Sequence, residues 1–131
     1  MQEYHEITVL FVDDESATLN SLCRYLRREP YRILLADSAN KALEILTQES
    51  VEILVTDLRM PGMGGLELLS HITSLYPKMI RLVLSATTDQ EEMQKVQGAE
   101  QIFKFITKPL IPEEFKQVIR EAIIYSQNQS C

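Results

Sequence analysis

The stretch VEILVTDLRMPGMGG, residues 51–65, leads from an apolar run through an acidic residue into a glycine-rich loop. The run Val51–Thr56 is nearly all apolar, which is typical of a strand buried on both faces of a sheet. Asp57 follows directly, and Pro61-Gly62 signals a turn. Because a carboxylate at the end of a buried strand is held in a fixed position by the sheet, the pattern predicts that Asp57 is a functional residue.

Four more apolar runs resemble strands, and helical patterns lie between or after them. The five strand-like runs are Ile7–Val12, Tyr31–Ala36, Val51–Thr56, Ile80–Ser85 and Ile102–Thr107. Three segments show the i, i+3, i+4, i+7 spacing of one helix face, namely Leu19, Leu22, Cys23 and Leu26, then Ala39, Ala42, Leu43 and Leu46, then Phe115, Val118, Ile119 and Ala122. The looser stripe of Leu66, Leu69 and Ile72 predicts another helix, and a capping box that opens Thr88–Gln97 predicts a fifth.

The alternation of strands and helices defines the fold class. Five βα units in succession predict an α/β fold, a parallel sheet with helices on both faces. We expect a doubly wound, flavodoxin-like, five-stranded sheet of order 2-1-3-4-5 with five helices. Lys104 interrupts the last apolar run and suits an edge strand, and Ser38 is the expected N-cap of the second helix.

Length and composition narrow the class of protein. A chain of 131 residues predicts a single domain over 1–131, with a core of about residues 7–125 and a polar C-terminal tail, 126–131. A net charge of −6 disfavours direct nucleic-acid binding. No apolar run is long enough to span a membrane, and the N-terminus lacks signal-peptide features, so we expect a cytoplasmic protein. Cys23 and Cys131 form neither a disulfide framework nor a metal motif.

Polar residues follow the strand-like runs at the edge where such sheets bind ligands, the carboxyl ends of the first and third strands. Asp13 and Asp14 follow the first run and Asp57 the third, while Ser85 and Lys108 lie at the ends of the fourth and fifth. Crowded carboxylates repel and raise one another's pKa, so the cluster requires positive charge. Mg²⁺ prefers such oxygen ligands. A metal ion, a lysine and a hydroxyl beside an aspartate form a site at which the aspartate could accept a phosphoryl group, because the cations neutralise the charge that develops.

Four motifs together resemble a known family. They are Val12-Asp13-Asp14-Glu15, the loop from Asp57 to Gly65, Leu84-Ser85-Ala86, and Phe105-Ile106-Thr107-Lys108-Pro109. In this order, each at a strand end, they resemble the receiver domain of two-component response regulators from about Ile7 to Tyr125. The resemblance implies a signalling module, not a metabolic enzyme, which a histidine kinase or phosphotransfer protein phosphorylates to control an output domain or downstream protein.

The resemblance also implies roles for single residues. Asp57 would be the phosphoacceptor, and Mg²⁺ would be held by Asp13, Asp14, Asp57 and the backbone carbonyl of Arg59. Ser85 and Lys108 would bind the phosphoryl group, Phe105 would rotate inward on activation, and the Lys108–Pro109 peptide bond would be cis.

Two departures from the family pattern concern the last part of the chain. Phe105 stands where a tyrosine is often found, so the switch residue has no hydroxyl. The run Glu100–Lys104 after Gly98-Ala99 is unusual, and it lies near a surface that commonly carries the output interface. The resemblance leaves open a homodimer through the face of the fourth and fifth helices, and whether the receiver acts alone or within a longer regulator.

Two other functions fit this fold class but not these motifs. Aspartyl-nucleophile phosphatases carry an Asp-x-Asp motif after the first strand, whereas residues 13–15 read Asp-Asp-Glu and the motif loop follows the third strand. A nucleotide-binding module would need a Gly-x-Gly-x-x-Gly or Walker lysine loop, and the chain has neither.

Overall fold

Five strands pair in parallel and form one sheet. They are β1 (Thr8–Val12), β2 (Arg32–Ala36), β3 (Ile53–Asp57), β4 (Ile80–Ser85) and β5 (Lys104–Thr107). The structure is a computed structural model that describes residues 7–58, 60, 62–85, 94, 97 and 102–129. The order is β2-β1-β3-β4-β5, so the predicted doubly wound topology is confirmed. β5 lies at one edge, as the polar break at Lys104 indicates.

Four helices are described, against five predicted. They are α1 (Ser16–Leu26), α2 (Ala39–Leu46), α3 (Gly65–Leu75) and α4 (Pro112–Gln129). The remaining predicted helix, Thr88–Gln97, lies outside the described residues except for Gln94 and Gln97, which are both helical. Ser38 caps α2 as expected, because its Oγ accepts a hydrogen bond from the backbone N–H of Lys41 at 3.0 Å.

The core forms two apolar layers, one on each face of the sheet. Val9 and Phe11 of β1 point into the layer covered by α1 and α4, and Leu10 points into the layer covered by α2 and α3. Successive residues of a strand face opposite sides, so the unbroken apolar run from Val9 to Val12 in β1 fills both layers. Phe11 packs against Phe115 of α4 with ring centroids 5.9 Å apart.

The apolar stripe predicted for α3 is wrong at one position. Leu66 is 47% exposed, whereas Leu68, Leu69 and Ile72 are buried against the sheet. The helix begins at Gly65, and positions 65, 68, 69 and 72 then form the i, i+3, i+4, i+7 face. Leu66 lies in the first turn and points away from that face.

The register of the strands brings their carboxyl ends to one edge. Val12 lies beside Thr56, and Ser85 beside Thr107. The residues that directly follow β1 and β5 therefore come close to Asp57, the last residue of β3. As for membranes, the described helices include none with the length and apolar character of a membrane-spanning segment.

Tyr31 is a buried residue with an unsatisfied hydroxyl. It is 6% exposed, and its Oη has no hydrogen-bond partner in the described part of the chain. Burial raises the pKa of Tyr31, and the nearby carboxylate of Glu29 raises it further. Glu29 itself accepts two hydrogen bonds from Arg120, at 2.9 and 3.0 Å.

We expect Tyr31→Phe to raise the free energy of unfolding by about 1 kcal/mol, because it removes a desolvated hydroxyl that gains no hydrogen bond. Burial favours the neutral phenol of Tyr31 in the folded state, so the unfolded wild type loses the phenol proton at a lower pH than the folded wild type. The free energy of unfolding of the wild type is therefore unaffected by this proton below about pH 10 and falls as the pH rises towards the raised pKa. The advantage of the variant should therefore grow above pH 10. Urea unfolding of the wild type and Tyr31→Phe at pH 7 and pH 10.5 measures the two free energies of unfolding. A free energy of unfolding that is lower in Tyr31→Phe by more than 1 kcal/mol at pH 7 would contradict the prediction.

Candidate functional site

Lys108 joins the carboxylates that the sequence places at the sheet edge. Its Nζ donates to Asp57 Oδ2 at 2.7 Å, to Asp13 Oδ2 at 3.0 Å and, more weakly, to Glu15 Oε1 at 3.4 Å. An ammonium group has three donors, so these three carboxylates occupy all of them. The ends of β1, β3 and β5 thus meet at one cation.

Burial determines the direction of the pKa shift of Asp13, whereas hydrogen bonds to carboxylates determine that of Lys108. Asp13 is fully buried, and this desolvation is the largest cause of a raised pKa for its carboxyl group. Hydrogen bonds from the backbone N–H of Glu15 and from Lys108 lower the pKa, and repulsion from Asp57 adds only the smallest increase. Burial alone would lower the pKa of Lys108, but its hydrogen bonds to Asp57 and Asp13 raise it. The predicted repulsion between carboxylates is therefore present but weaker than burial.

Three aspartates are close enough to share one metal ion. Asp13, Asp14 and Asp57 each offer a carboxylate oxygen, and these oxygens lie within 4.8 Å of one another. Asp14 is exposed, so this side of the cluster is open to solvent. Among the described residues at the carboxyl ends of these strands, Lys108 is the one cation that offsets the negative charge of the carboxylates. The excess negative charge and the donor set, which consists of oxygen atoms only, fit Mg²⁺. Arg59, whose backbone carbonyl the resemblance adds to the metal site, lies outside the described residues.

The other expected site residues lie on β4, on β5 and just after it. Ser85 is buried at the end of β4, and its backbone carbonyl accepts a hydrogen bond from the backbone N–H of Lys108 at 2.9 Å. The peptide bond between Lys108 and Pro109 is cis. Phe105 is half-buried on β5, beside Val83, and packs against the apolar layer under α2 and α3.

Gly65 positions Asp57, a role that the sequence did not reveal. A Cβ atom at residue 65 would lie 2.1 Å from the carbonyl oxygen of Asp57 and 2.7 Å from Cα of Leu58. The backbone N–H of Gly65 also donates to the carbonyl of Leu58 at 3.0 Å. The first turn of α3 therefore lies directly against the end of β3. The pair Gly64-Gly65 was the available signal, but the sequence does not tell which of the two is in close contact.

We expect Gly65→Ala to lower the free energy of unfolding by about 1–3 kcal/mol, because the new methyl group overlaps the backbone that carries Asp57. Gly64→Ala is the matched control, since a Cβ there would meet only the carbonyl oxygen of Leu58, at an ordinary 3.6 Å. Urea unfolding of both variants measures the difference. Equal losses for the two variants would contradict the assignment of the close contact to Gly65.

Comparison with known proteins gives a consistent family. The model of the response regulator receiver domain matches residues 9–120. The chain is 34% identical over 118 residues to the hydrogenase transcriptional regulatory protein HoxA of Cupriavidus necator, covering 90% of this chain and 24% of that protein. It is 30% identical over 119 residues to a cyclic di-GMP phosphodiesterase of Thermotoga maritima, covering 89% and 31% respectively. The chain thus spans less than a third of the length of these relatives.

The likeness extends to the three-dimensional structure. The crystal structure of the signal receiver domain of an HD domain-containing protein from Pseudomonas fluorescens superposes with a TM-score of 0.88 at 26% identity, covering 93% of this chain and 98% of that one. The family model matches residues 9–120, and the observed strand order and the cluster of aspartates at the carboxyl ends of the strands are consistent with that family. This chain belongs to the response regulator receiver domain family, and it is a receiver domain of two-component signal transduction.

Proposed function

We propose that Asp57 is the phosphoacceptor of this receiver domain and that its phosphorylation switches the conformation of the domain. The observation that carries the proposal is the 2.7 Å hydrogen bond from the Lys108 ammonium to Asp57 Oδ2. A cation already in contact with the reacting carboxylate can neutralise charge on a phosphoryl group as it arrives. Asp57 ends a rigid, buried strand, and this limits the misalignment of the attacking oxygen.

The donor would be a phosphohistidine on a histidine kinase or phosphotransfer protein. One carboxylate oxygen of Asp57 attacks phosphorus, a P–O bond forms, and the P–N bond to the donor imidazole breaks. The imidazole nitrogen keeps the electron pair, and a proton that is already on the other ring nitrogen or is taken up from solvent makes the leaving imidazole neutral. Asp57 becomes an acyl phosphate. Later hydrolysis by water returns the aspartate and releases inorganic phosphate, so the domain is a signalling module that catalyses its own turnover.

Mg²⁺ is part of the proposed site. Asp13, Asp14 and Asp57 would hold it, together with the backbone carbonyl of Arg59. The proximity of the three carboxylates and their excess negative charge support this assignment. The ion would neutralise the charge of the phosphoryl oxygens.

The proposed switch uses residues from β4 and β5. Ser85 and Lys108 would be drawn to the phosphoryl oxygens, and Phe105, which is only half-buried, would move further into the interior. Shifting a two-state equilibrium from 1:99 to 99:1 takes about 5.5 kcal/mol of differential binding. Two charge-assisted hydrogen bonds, at about 1.5–3 kcal/mol each, supply most of that free energy.

The output would lie outside these residues. The relatives carry names as different as a transcriptional regulator and a phosphodiesterase, so residues 1–131 are proposed as a single receiver domain that acts on an output domain or a downstream protein. A homodimer through α4 and the segment 88–97 is part of this proposal, supported by the exposed apolar side chains Ile124 and Tyr125 on α4. The proposed setting is the cytoplasm, without direct nucleic-acid binding by this acidic chain.

Incubation with a small acyl phosphate donor tests the proposal by intact mass. We expect one added phosphoryl group in the presence of Mg²⁺ and none when EDTA removes it. Beryllium fluoride, which mimics the phosphoryl group without being hydrolysed, controls for an adduct that is lost too quickly. A protein that neither gains mass nor binds beryllium fluoride in the presence of Mg²⁺ would contradict the proposed function.

A further inference from the structure

Glu15 contacts the cation of the site but has no role in the chemistry proposed above. Its Oε1 lies 3.4 Å from Lys108 Nζ, and its side chain is 63% exposed. This is the longest of the three carboxylate contacts of Lys108, and Glu15 is the most exposed of the three acidic partners. A full set of acceptors leaves Lys108 without a free donor for a phosphoryl group.

The side chain of Glu15 is not needed to start the adjoining helix. Glu15 is the N-cap residue of α1, yet its side chain makes no capping hydrogen bond to the first turn, all of which the structure describes. Its backbone does the local work, since its carbonyl accepts hydrogen bonds from Thr18 and Leu19 at 3.1 and 3.2 Å. Its backbone N–H donates to Asp13 Oδ1 at 2.9 Å. The backbone is thus fixed, while the carboxylate is directed towards Lys108.

The three acceptors differ in how readily Lys108 can leave them. Asp13 is fully buried, and removing its cationic partner would leave a desolvated carboxylate poorly compensated. Asp57 is the proposed acceptor of the phosphoryl group, so Lys108 must stay near Asp57 to contact that group. Glu15 can return its carboxylate to water at little cost, because exposed ion pairs are weak. Lys108 therefore exchanges Glu15 for a phosphoryl oxygen.

We propose that the carboxylate of Glu15 competes with the phosphoryl group for the ammonium group of Lys108 and so lowers the affinity of the site for the phosphoryl group. The inference rests on the proposed role of Lys108. Glu15→Gln removes the charged acceptor and leaves the backbone contacts to Asp13 and α1 in place. The variant should therefore bind beryllium fluoride, in the presence of Mg²⁺, about two- to fivefold more tightly than the wild type.

A double-mutant cycle separates this competition from simple charge repulsion. Beryllium fluoride is titrated calorimetrically, with Mg²⁺ present, into wild type, Glu15→Gln, Lys108→Ala and the double variant. Competition for Lys108 predicts that Glu15→Gln tightens binding in the wild-type background and has no effect when Lys108 is absent. Glu44→Gln is the control for net charge, because Glu44 is exposed on α2 and pairs with Lys41 instead.

The outcomes are distinct from those that test the phosphoacceptor. No tightening by Glu15→Gln, weaker binding, or a tightening that persists unchanged in the Lys108→Ala background would overturn the inference while leaving the proposed function intact. If the wild type itself does not bind beryllium fluoride, the proposed function fails and the inference fails with it. Tightening that requires Lys108 and is absent from Glu44→Gln supports it.

Discussion

Asparagine in place of Asp57 is expected to abolish formation of the phosphoryl adduct. The amide is close to the carboxylate in size, but it is neutral and offers no anionic oxygen to attack phosphorus. The remaining carboxylates of the cluster are poor substitutes, because Asp13 is fully buried and engaged by Lys108 and by the backbone of Glu15, and Asp14 is exposed and not on a strand. The fold should persist, since the substitution is nearly isosteric.

Asp37→Asn is the matched control for this prediction. Asp37 directly follows β2 at the same edge of the sheet, but it is exposed and lies beyond the pair of strands that carry the cluster. Intact mass after incubation with an acyl phosphate and Mg²⁺ should show the adduct in wild type and Asp37→Asn, and none in Asp57→Asn. An adduct of wild-type size in Asp57→Asn would refute Asp57 as the acceptor.

Removal of the Lys108 ammonium should weaken the binding of a phosphoryl mimic by about 10- to 100-fold, the free energy of one charge-assisted hydrogen bond. The reason is twofold. The phosphoryl oxygens lose their donor, and the negative charge of Asp13 and Asp57 is no longer offset by a cation 3.0 and 2.7 Å away. Lys108→Ala is therefore expected to be poorly responsive to phosphorylation as well.

Calorimetric titration with beryllium fluoride measures this loss, with Lys104→Ala as the control. Lys104 is the first residue of β5, at the opposite end of the strand from Lys108, and its exposed side chain pairs with Glu121 of α4 at 3.7 Å. Its removal should leave the affinity within about twofold, as for a surface ion pair. Similar affinities for wild type and Lys108→Ala would show that Lys108 does not bind the phosphoryl group.

The sheet was predictable because its signals are local and strong. Runs such as Ile80–Ser85 coincide with observed strands. Consecutive apolar residues, Val9–Val12 in β1 and Ile53–Val55 in β3, required a sheet covered on both faces. Boundaries were less accurate where a run begins in a loop, so Tyr31 and Ile102 precede their strands. Both are nevertheless buried, because apolarity reports burial and not backbone pairing.

The site was predictable as a set of residues but not as a set of contacts. Strand ends predicted that Asp13, Asp57 and Lys108 would meet, and the hydrogen bonds of Lys108 agree. That Glu15 reaches the same ammonium depends on a side-chain conformation, and that Gly65 touches the backbone of Asp57 depends on the angle at which α3 meets the sheet. Neither quantity is encoded in a periodic pattern. The dominance of burial in the pKa of Asp13 likewise depends on the packing around it.

Locating the phosphoryl group on the chain decides whether Asp57 is the phosphoacceptor. Borohydride reduces an acyl phosphate to an alcohol, so a phosphorylated aspartate becomes homoserine and can be located by peptide mass spectrometry. After incubation of the wild-type protein with an acyl phosphate and Mg²⁺, we expect homoserine at residue 57 and at no other aspartate. Homoserine at residue 13 or 14, with aspartate retained at 57, would contradict it.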